Sequence, residues 1–317
     1  NATIVVTGCY AQRDPKSLDG MEEIDLVIGN SAKDSLVRQV MDWRDRAPVP
    51  CAVGDDPEIF SPRVSRTRAM VKIQEGCNQV CAYCIVPKVR GRERSILPDT
   101  IVDEINRNVD HGYKEVVLTG TQLGSYGFDL PNMNLTRLLD FILSKTKVTR
   151  LRISSLQPQD IIPEILELWS DTRLCPHFHL PLQSGSNSVL NRMRRRYTRN
   201  IYTETIQSIR EHISNVSITA DVITGFPGET EQDFEETHEL CRNVRFAAMH
   251  VFPYSARPGT SATHYRKQIS EHDKSRRTQI LLDLAKSLAI EFRRKSLGLV
   301  RPVLWEERRQ FKTSKMW

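Results

Sequence analysis

Short apolar runs alternate with amphipathic helical stretches along most of this chain, and that alternation restricts the fold more than any other feature. Candidate strands are Met70 to Gln74, Glu115 to Thr119, Leu151 to Ser155, His177 to Leu182, Ile218 to Thr224 and Ala248 to Tyr254. Each is rich in branched or aromatic residues and bounded by Gly, Pro or polar residues. Between them, Pro98 to Asp110 opens with a proline in its first turn. Asn134 to Lys145 and Glu229 to Asn243 carry apolar residues at three- and four-residue spacing. Six strands with intervening helices predict an α/β fold with a parallel sheet. The length, about 230 residues, fits a partial (β/α)6 barrel better than eight repeats.

Flanking segments extend this block. Thr3 to Thr7 and Asp25 to Gly29 read as strands and Ala32 to Arg46 as a helix, so a smaller α/β domain is expected over 1–62. The Pro/Arg/Ser-rich stretch Ser61 to Arg68 reads as a linker. The main domain is expected over 63–298. It closes with a long helix, Glu271 to Leu297, carrying Leu281, Leu284, Leu288 and Phe292 on one stripe. A new strand is expected to begin at Arg301 to Glu306. The opening without Met, straight into an apolar strand, points to a fragment. No apolar run approaches the roughly 18 residues of a transmembrane helix. No charged leader with a cleavage site precedes the first strand, so the chain reads as cytoplasmic, with no membrane partner. The net charge of +6 is a weak pointer to nucleic acid.

Chemistry concentrates just after the first strand of the block. Cys77, Cys81 and Cys84 form a C-x3-C-x2-C run, three of the seven cysteines in the chain. In a non-secreted chain such crowding favours metal over disulfides. Three thiolates on one tight loop can bind three irons of a [4Fe–4S] cluster and leave the fourth open. A structural zinc site would want a fourth protein ligand, for which His177 and His179 are the candidates. An electron-transfer cluster would want a fourth cysteine, and none of Cys51, Cys175 and Cys241 has a motif around it.

The surrounding residues carry a resemblance. Val71 to Ser95, Leu118-Thr119-Gly120, Arg152-Ile153-Ser154-Ser155, His179 to Ser186 and Asp221 to Thr230 resemble the radical S-adenosylmethionine (SAM) methylthiotransferases along nearly the whole chain. The resemblance implies a TIM-like radical SAM barrel whose Cys77, Cys81 and Cys84 hold a [4Fe–4S] cluster. It places Tyr83 near the SAM adenine. Small and polar strand-end groups are then expected around SAM: Thr119, Gly120, Ser154, Ser155, Gln183 and Asp221. The turn Gly225-Phe226-Pro227-Gly228-Glu229-Thr230 would shape the same pocket; it lacks the Lys-Ser/Thr ending of a P-loop.

The resemblance also implies a second [4Fe–4S] cluster in the intact protein. Thr7-Gly8-Cys9-Tyr10-Ala11-Gln12 matches the motif around one of its three ligands, while Cys51 matches none. Arg301 to Glu307 resembles the start of the family's tRNA-contacting TRAM domain, expected over 299–317.

Two basic runs fit RNA binding: Arg90, Arg92 and Arg94 beside the cysteine loop, and Arg192, Arg194, Arg195, Arg196 and Arg199 with Tyr197 and Tyr202. Closely spaced Arg with Tyr suits a phosphate backbone and stacked bases. A solvated helix face is the competing reading of the second run.

Within the family, Thr7 to Gln12, Lys72 to Gln79 and Leu118 to Gly127 look most like the branch that modifies threonylcarbamoyl-bearing adenosine 37 of tRNA. The isopentenyl branch is the alternative. A protein that binds RNA around a purely structural cluster is the alternative of a different class. Implied partners are the tRNA anticodon stem-loop and an electron donor such as a flavodoxin or ferredoxin.

Overall fold

The structure is a computed structural model that describes residues 3–46 and 67–305. The first segment holds two parallel strands, β1 (Val5–Thr7) and β2 (Leu26–Ile28), and the helices α1 (Cys9–Arg13), α2 (Pro15–Asp19) and α3 (Leu36–Arg46). A 3-10 turn at Asn30–Ser35 replaces the first turn of the helix expected from Ala32. Residues 61–66 of the expected linker, and the 62/63 boundary, lie outside the described residues.

The second segment is the barrel. It begins with β3 (Arg68–Lys72), followed by a small antiparallel clasp, β4 (Gln74–Glu75) with β5 (Arg94–Ser95). The cysteine loop and α4 (Val86–Arg90) lie inside this clasp. Then follow α5 (Pro98–Asp110), β6 (Glu115–Thr119), α6 (Leu135–Lys145), β7 (Leu151–Ile153), α7 (Pro163–Glu167) and β8 (His177–His179). The chain continues through α8 (Asn187–Arg192), α9 (Arg199–His212), β9 (Ser217–Thr224), α10 (Glu231–Val244), β10 (Ala248–Pro253) and α11 (Glu271–Arg294).

Strands pair in parallel as β3-β6-β7 and β8-β9-β10. Parallel bridges Leu151 to Leu174 and Ser155 to His179 join the two halves. The six strands therefore run in sequence order, as the sequence predicts.

Burial explains the layering. In β9, Ile218, Ala220, Val222 and Thr224 are buried, while Ser217, Thr219, Asp221 and Ile223 are half-buried. That alternation turns one face to the helices and the other to the barrel lumen. Leu138, Leu139 and Ile142 of α6, Ile206 and Ile209 of α9, and Leu281 and Leu288 of α11 complete the core. Leu284 and Phe292, expected on the α11 stripe, are only half-buried.

Three strands are shorter or shifted relative to expectation. β8 stops at His179 because Pro181 has no N–H to give the ladder. β7 stops at Ile153, and Ser155 keeps only its bridge. The segment after Lys72 turns over to pair with residues 94–96, with Ile96 N donating to Ile73 O at 2.8 Å. The strand expected from Arg301 is not formed over 301–305; Pro302 lacks a donor, and a lone strand is not stable. The remaining tail lies outside the described residues.

Candidate active site

The cysteine loop is held by backbone bonds to distant segments. Gly76 enters it at φ +76, and a Cβ there would sit 1.9 Å from Arg92 O, so only glycine fits. Cys77 N donates to Gly91 O at 3.1 Å and Asn78 N to Glu93 Oε1 at 3.0 Å. Ala82 N donates to Met193 O at 3.0 Å, and Ala82 O accepts from Ala262 N at 2.9 Å.

The loop leaves Cys77, Cys81 and Cys84 half-buried and reduced. Burial pushes the Cys77 thiol up to about 11, against the hydrogen bond from Gln79 N. Cys84 is raised as well, mainly by burial. A cationic metal centre would reverse this, since ligation deprotonates a thiol.

Among the described residues, only His179, Asp221 and His250 bring three possible ligand atoms within 4.8 Å of one another. Cys77, Cys81 and Cys84 do not form such a group. His177 and His179 belong to β8 and make other bonds, so neither completes a zinc site with the cysteines: His177 Nε2 lies 3.4 Å from Thr219 Oγ1 and His179 Nε2 lies 3.2 Å from Asp221 Oδ1.

Beside the loop, Tyr83 meets Phe226 edge-on at 6.4 Å. Phe226 sits in the turn after β9, where Gly225 has φ +69. Glu229 fixes this turn by accepting from Gly225 N at 2.7 Å and from Arg277 Nη1 at 2.8 Å. Tyr83, Gln183 and Asp221 share one cavity of about 380 Å³ with Ile223, Phe252, Tyr254 and Arg257. A larger groove, about 540 Å³, runs between α9 and α10 on the outer surface and includes no residue of the loop.

The other strand-end candidates are not on the cavity that Tyr83 shares. Thr119 Oγ1 donates to Val71 O at 3.2 Å. Gly120 packs against Leu123 and Gln74. Ser154 follows β7, and its N donates to Leu118 O at 3.1 Å. Ser155 Oγ lies 2.6 Å from His179 Nδ1.

Arg195 is placed differently from the sequence reading. Its Nη1 lies 3.5 Å from Cys81 Sγ, its Nη2 donates to Gln157 Oε1 at 3.1 Å, and its guanidinium covers the Tyr197 ring. It therefore supports the cysteine loop instead of facing RNA. Tyr197 and Tyr202 are buried and donate to carbonyls of residues 180–182, so neither ring can stack on a base. Arg194 and Arg196 remain exposed. Of the first basic run, Arg94 pairs with Glu75 at 2.8 Å and Arg92 is exposed.

Arg90 turns to the first segment, its Nε 3.4 Å from Cys9 Sγ. Asn30 adds a contact to that sulfur at 3.7 Å and donates to Val89 O at 3.0 Å. Burial works to raise the Cys9 thiol, but these hydrogen bonds and the Arg90 charge bring it below its ordinary value. Thiolate character at Cys9 suits a metal ligand.

Sequence reasoning missed a polar network beside the loop. Gln157 Nε2 donates to Gln79 Oε1 at 3.1 Å and also to Gln122 Oε1. Gln74, buried, accepts from Thr121 N and Gln122 N at 2.9 Å each. Asp160 accepts from Gln157 N at 2.8 Å, and burial raises its carboxyl to about 6. Scattered glutamines have no spacing signature, so only the folded chain reveals them.

The chain is similar to known proteins. Residues 71–241 match the radical SAM superfamily. The chain is 37% identical over 305 residues to the threonylcarbamoyladenosine tRNA methylthiotransferase MtaB of Bacillus subtilis, covering 92% of this chain and 67% of that protein. It is 39% identical over 320 residues to the protein of the same name from Aquifex aeolicus, covering 97% and 77%. The chain belongs to the radical SAM methylthiotransferase family.

Another methylthiotransferase-family relative is the tRNA-2-methylthio-N(6)-dimethylallyladenosine synthase of Desulforamulus reducens, 39% identical over 311 residues, with 95% of this chain and 68% of that protein covered. Among solved structures, coproporphyrinogen III oxidase HemN from Escherichia coli, a radical SAM enzyme, aligns with TM-score 0.53 at 15% identity over 72% of this chain and 54% of that one. At that identity the likeness shows the fold alone. Radical SAM methylthiotransferases are transferases, and membership of the radical SAM superfamily implies a [4Fe–4S] cluster and SAM.

Proposed function

We propose that the intact protein adds a methylthio group to N6-threonylcarbamoyladenosine at position 37 of tRNA. The observation that carries the reading is the cavity in which Tyr83 of the cysteine loop meets Gln183 and Asp221 from the strand ends. Bound there, a [4Fe–4S] cluster and SAM would supply one-electron cleavage of the SAM sulfonium.

The chain's own residues bind, orient and exclude water. Cys77, Cys81 and Cys84 would hold the cluster, and Tyr83, braced edge-on by Phe226, would wall the adenine. Thr119, Gly120, Ser154 and Ser155 are the strand-end groups expected nearby. Cys9 is one proposed ligand of a second cluster; among the described residues no other cysteine stands with it.

The proposed partners are the anticodon stem-loop, met by Arg92, Arg194 and Arg196, and a flavodoxin or ferredoxin as reductant. No described helix is long and apolar enough to cross a membrane. The substrate choice rests on the MtaB relatives, with the dimethylallyl branch as the competing outcome.

Two measurements test this. Full-length protein loaded anaerobically with iron and sulfide should release 5′-deoxyadenosine from SAM on reduction. Its absence from loaded protein would leave only an RNA-binding role. Nucleosides from a deletion strain should lose the methylthio group from threonylcarbamoyladenosine; loss from the dimethylallyl nucleoside alone would overturn the choice.

A further inference from the structure

One cluster in the lumen is not used by the cysteine loop. Asp221 of β9 and His250 of β10 are direct partners in the sheet register, and His179 of β8 lies on the same lumen face. Asp221 Oδ1 is 3.2 Å from His179 Nε2 and 3.2 Å from His250 Nδ1. Ser155 Oγ supports His179 from the far side at 2.6 Å. Burial would raise the Asp221 carboxyl, but the two imidazoles outweigh it and hold it below its ordinary value.

The ionised carboxylate therefore engages one nitrogen of each histidine and fixes both rings. His250 Nε2 has no hydrogen bond among the described residues, and the His250 side chain is 66% exposed on the last strand of the open barrel. Asp221 also lines the floor of the cavity shared by Tyr83 and Arg257.

We propose that the His179–Asp221–His250 relay reads the carboxylate of the substrate's N6 substituent, with His250 contacting it as the imidazolium, Nδ1–H donating to Asp221 and Nε2–H donating to the substrate. This rests on the function proposed above and names what would make it selective. A threonylcarbamoyl group ends in a carboxylate and a hydroxyl, whereas a dimethylallyl group is hydrocarbon. A polar group placed to bind the first is left without a partner by the second, and such sites discriminate far better than apolar pockets do.

SAM also carries a carboxylate. The cysteine side already has cationic groups, since Arg195 touches Cys81 and Arg257 lines the cavity beside Tyr83. The relay is therefore assigned to the substrate.

The test uses full-length, cluster-loaded protein and anticodon stem-loop RNAs. Position 37 carries threonylcarbamoyladenosine, its carboxyl methyl ester or dimethylallyladenosine. Wild type should prefer the free acid to the ester by roughly tenfold in KM, and to the dimethylallyl RNA by roughly a hundredfold. His250→Phe should erase the acid-over-ester preference with cluster content, melting temperature and SAM affinity unchanged. His250→Arg should restore much of it.

A His250→Phe protein that keeps the full preference overturns the relay while the proposed function stands. A fall in SAM affinity that matches the loss assigns the relay to the cofactor and also overturns it. A wild type that prefers the dimethylallyl RNA overturns the function itself, and the relay with it.

Discussion

At the scale of single residues, two side chains near the loop make opposite electrostatic statements. Asp160 has its carboxyl raised to about 6, first by burial, with the Gln157 N–H only partly offsetting it. The unfolded chain loses this proton near the ordinary value of 3.8 and the folded chain near 6, so stability falls as pH rises across that window. Asp160→Asn should therefore stabilise the protein by on the order of 2 kcal/mol at about pH 7.5, with the gain vanishing by about pH 4. Paired urea titrations at the two pH values measure this; an equal gain at both would contradict it.

Arg195 brings a positive charge to Cys81 Sγ at 3.5 Å. Cluster potentials respond to nearby charge and to hydrogen bonds on sulfur. Arg195→Met should lower the midpoint potential of the loaded cluster by roughly tens of millivolts, as read by spectroscopic redox titration. An unchanged potential at full iron content would remove Arg195 from this role. The cysteines were legible from spacing alone. Arg195 was not, because a run of five arginines in eight residues gives no sign of which one turns inward.

At the scale of elements, the barrel was readable because its strands and helices each have a period, and each crossover is helical. The lumen was less readable, because charged side chains there look like surface residues in sequence. Glu115 is fully buried and meets Arg68, Arg150 and Arg152 at 2.9, 3.0 and 3.0 Å. Nothing in the strand pattern announces that set.

The same holds where α11 meets the turn after β9. Arg277 and Glu229, 6% and 1% exposed at the side chain, pair at 2.8 Å. Removing one partner of a buried pair strands the other charge, at about 3–5 kcal/mol. Arg277→Met should cost about that much in chemical denaturation. Adding Glu229→Gln should recover part of the loss, because the amide oxygen can still accept from Gly225 N. Equal stability of the single and double variants would show that the stranded charge is not the cause.

At the scale of the whole molecule, the two basic runs divide by orientation. Arg90 and Arg195 turn to the sulfurs of Cys9 and Cys81. Arg194 and Arg196 flank Arg195 and stay exposed, the placement that the proposed RNA contact requires. Arg194→Glu with Arg196→Glu should weaken tRNA binding at low salt and reduce the salt dependence of log K by about two. Filter binding across a salt series measures it, and an unchanged slope would remove this face from the interface.

The clasp around the cysteine loop also has a consequence for how the protein is made. The sulfurs are spaced by residues 77–84, but Ala82 takes its two backbone partners from Met193 and Ala262. All three cysteines leave the ribosome long before either partner is synthesised. The loop reaches its final shape only when nearly the whole barrel is present, so the proposed cluster would be loaded after folding instead of guiding it. A chain cut short before Ala262 keeps every thiol of the triplet and loses the frame that spaces them.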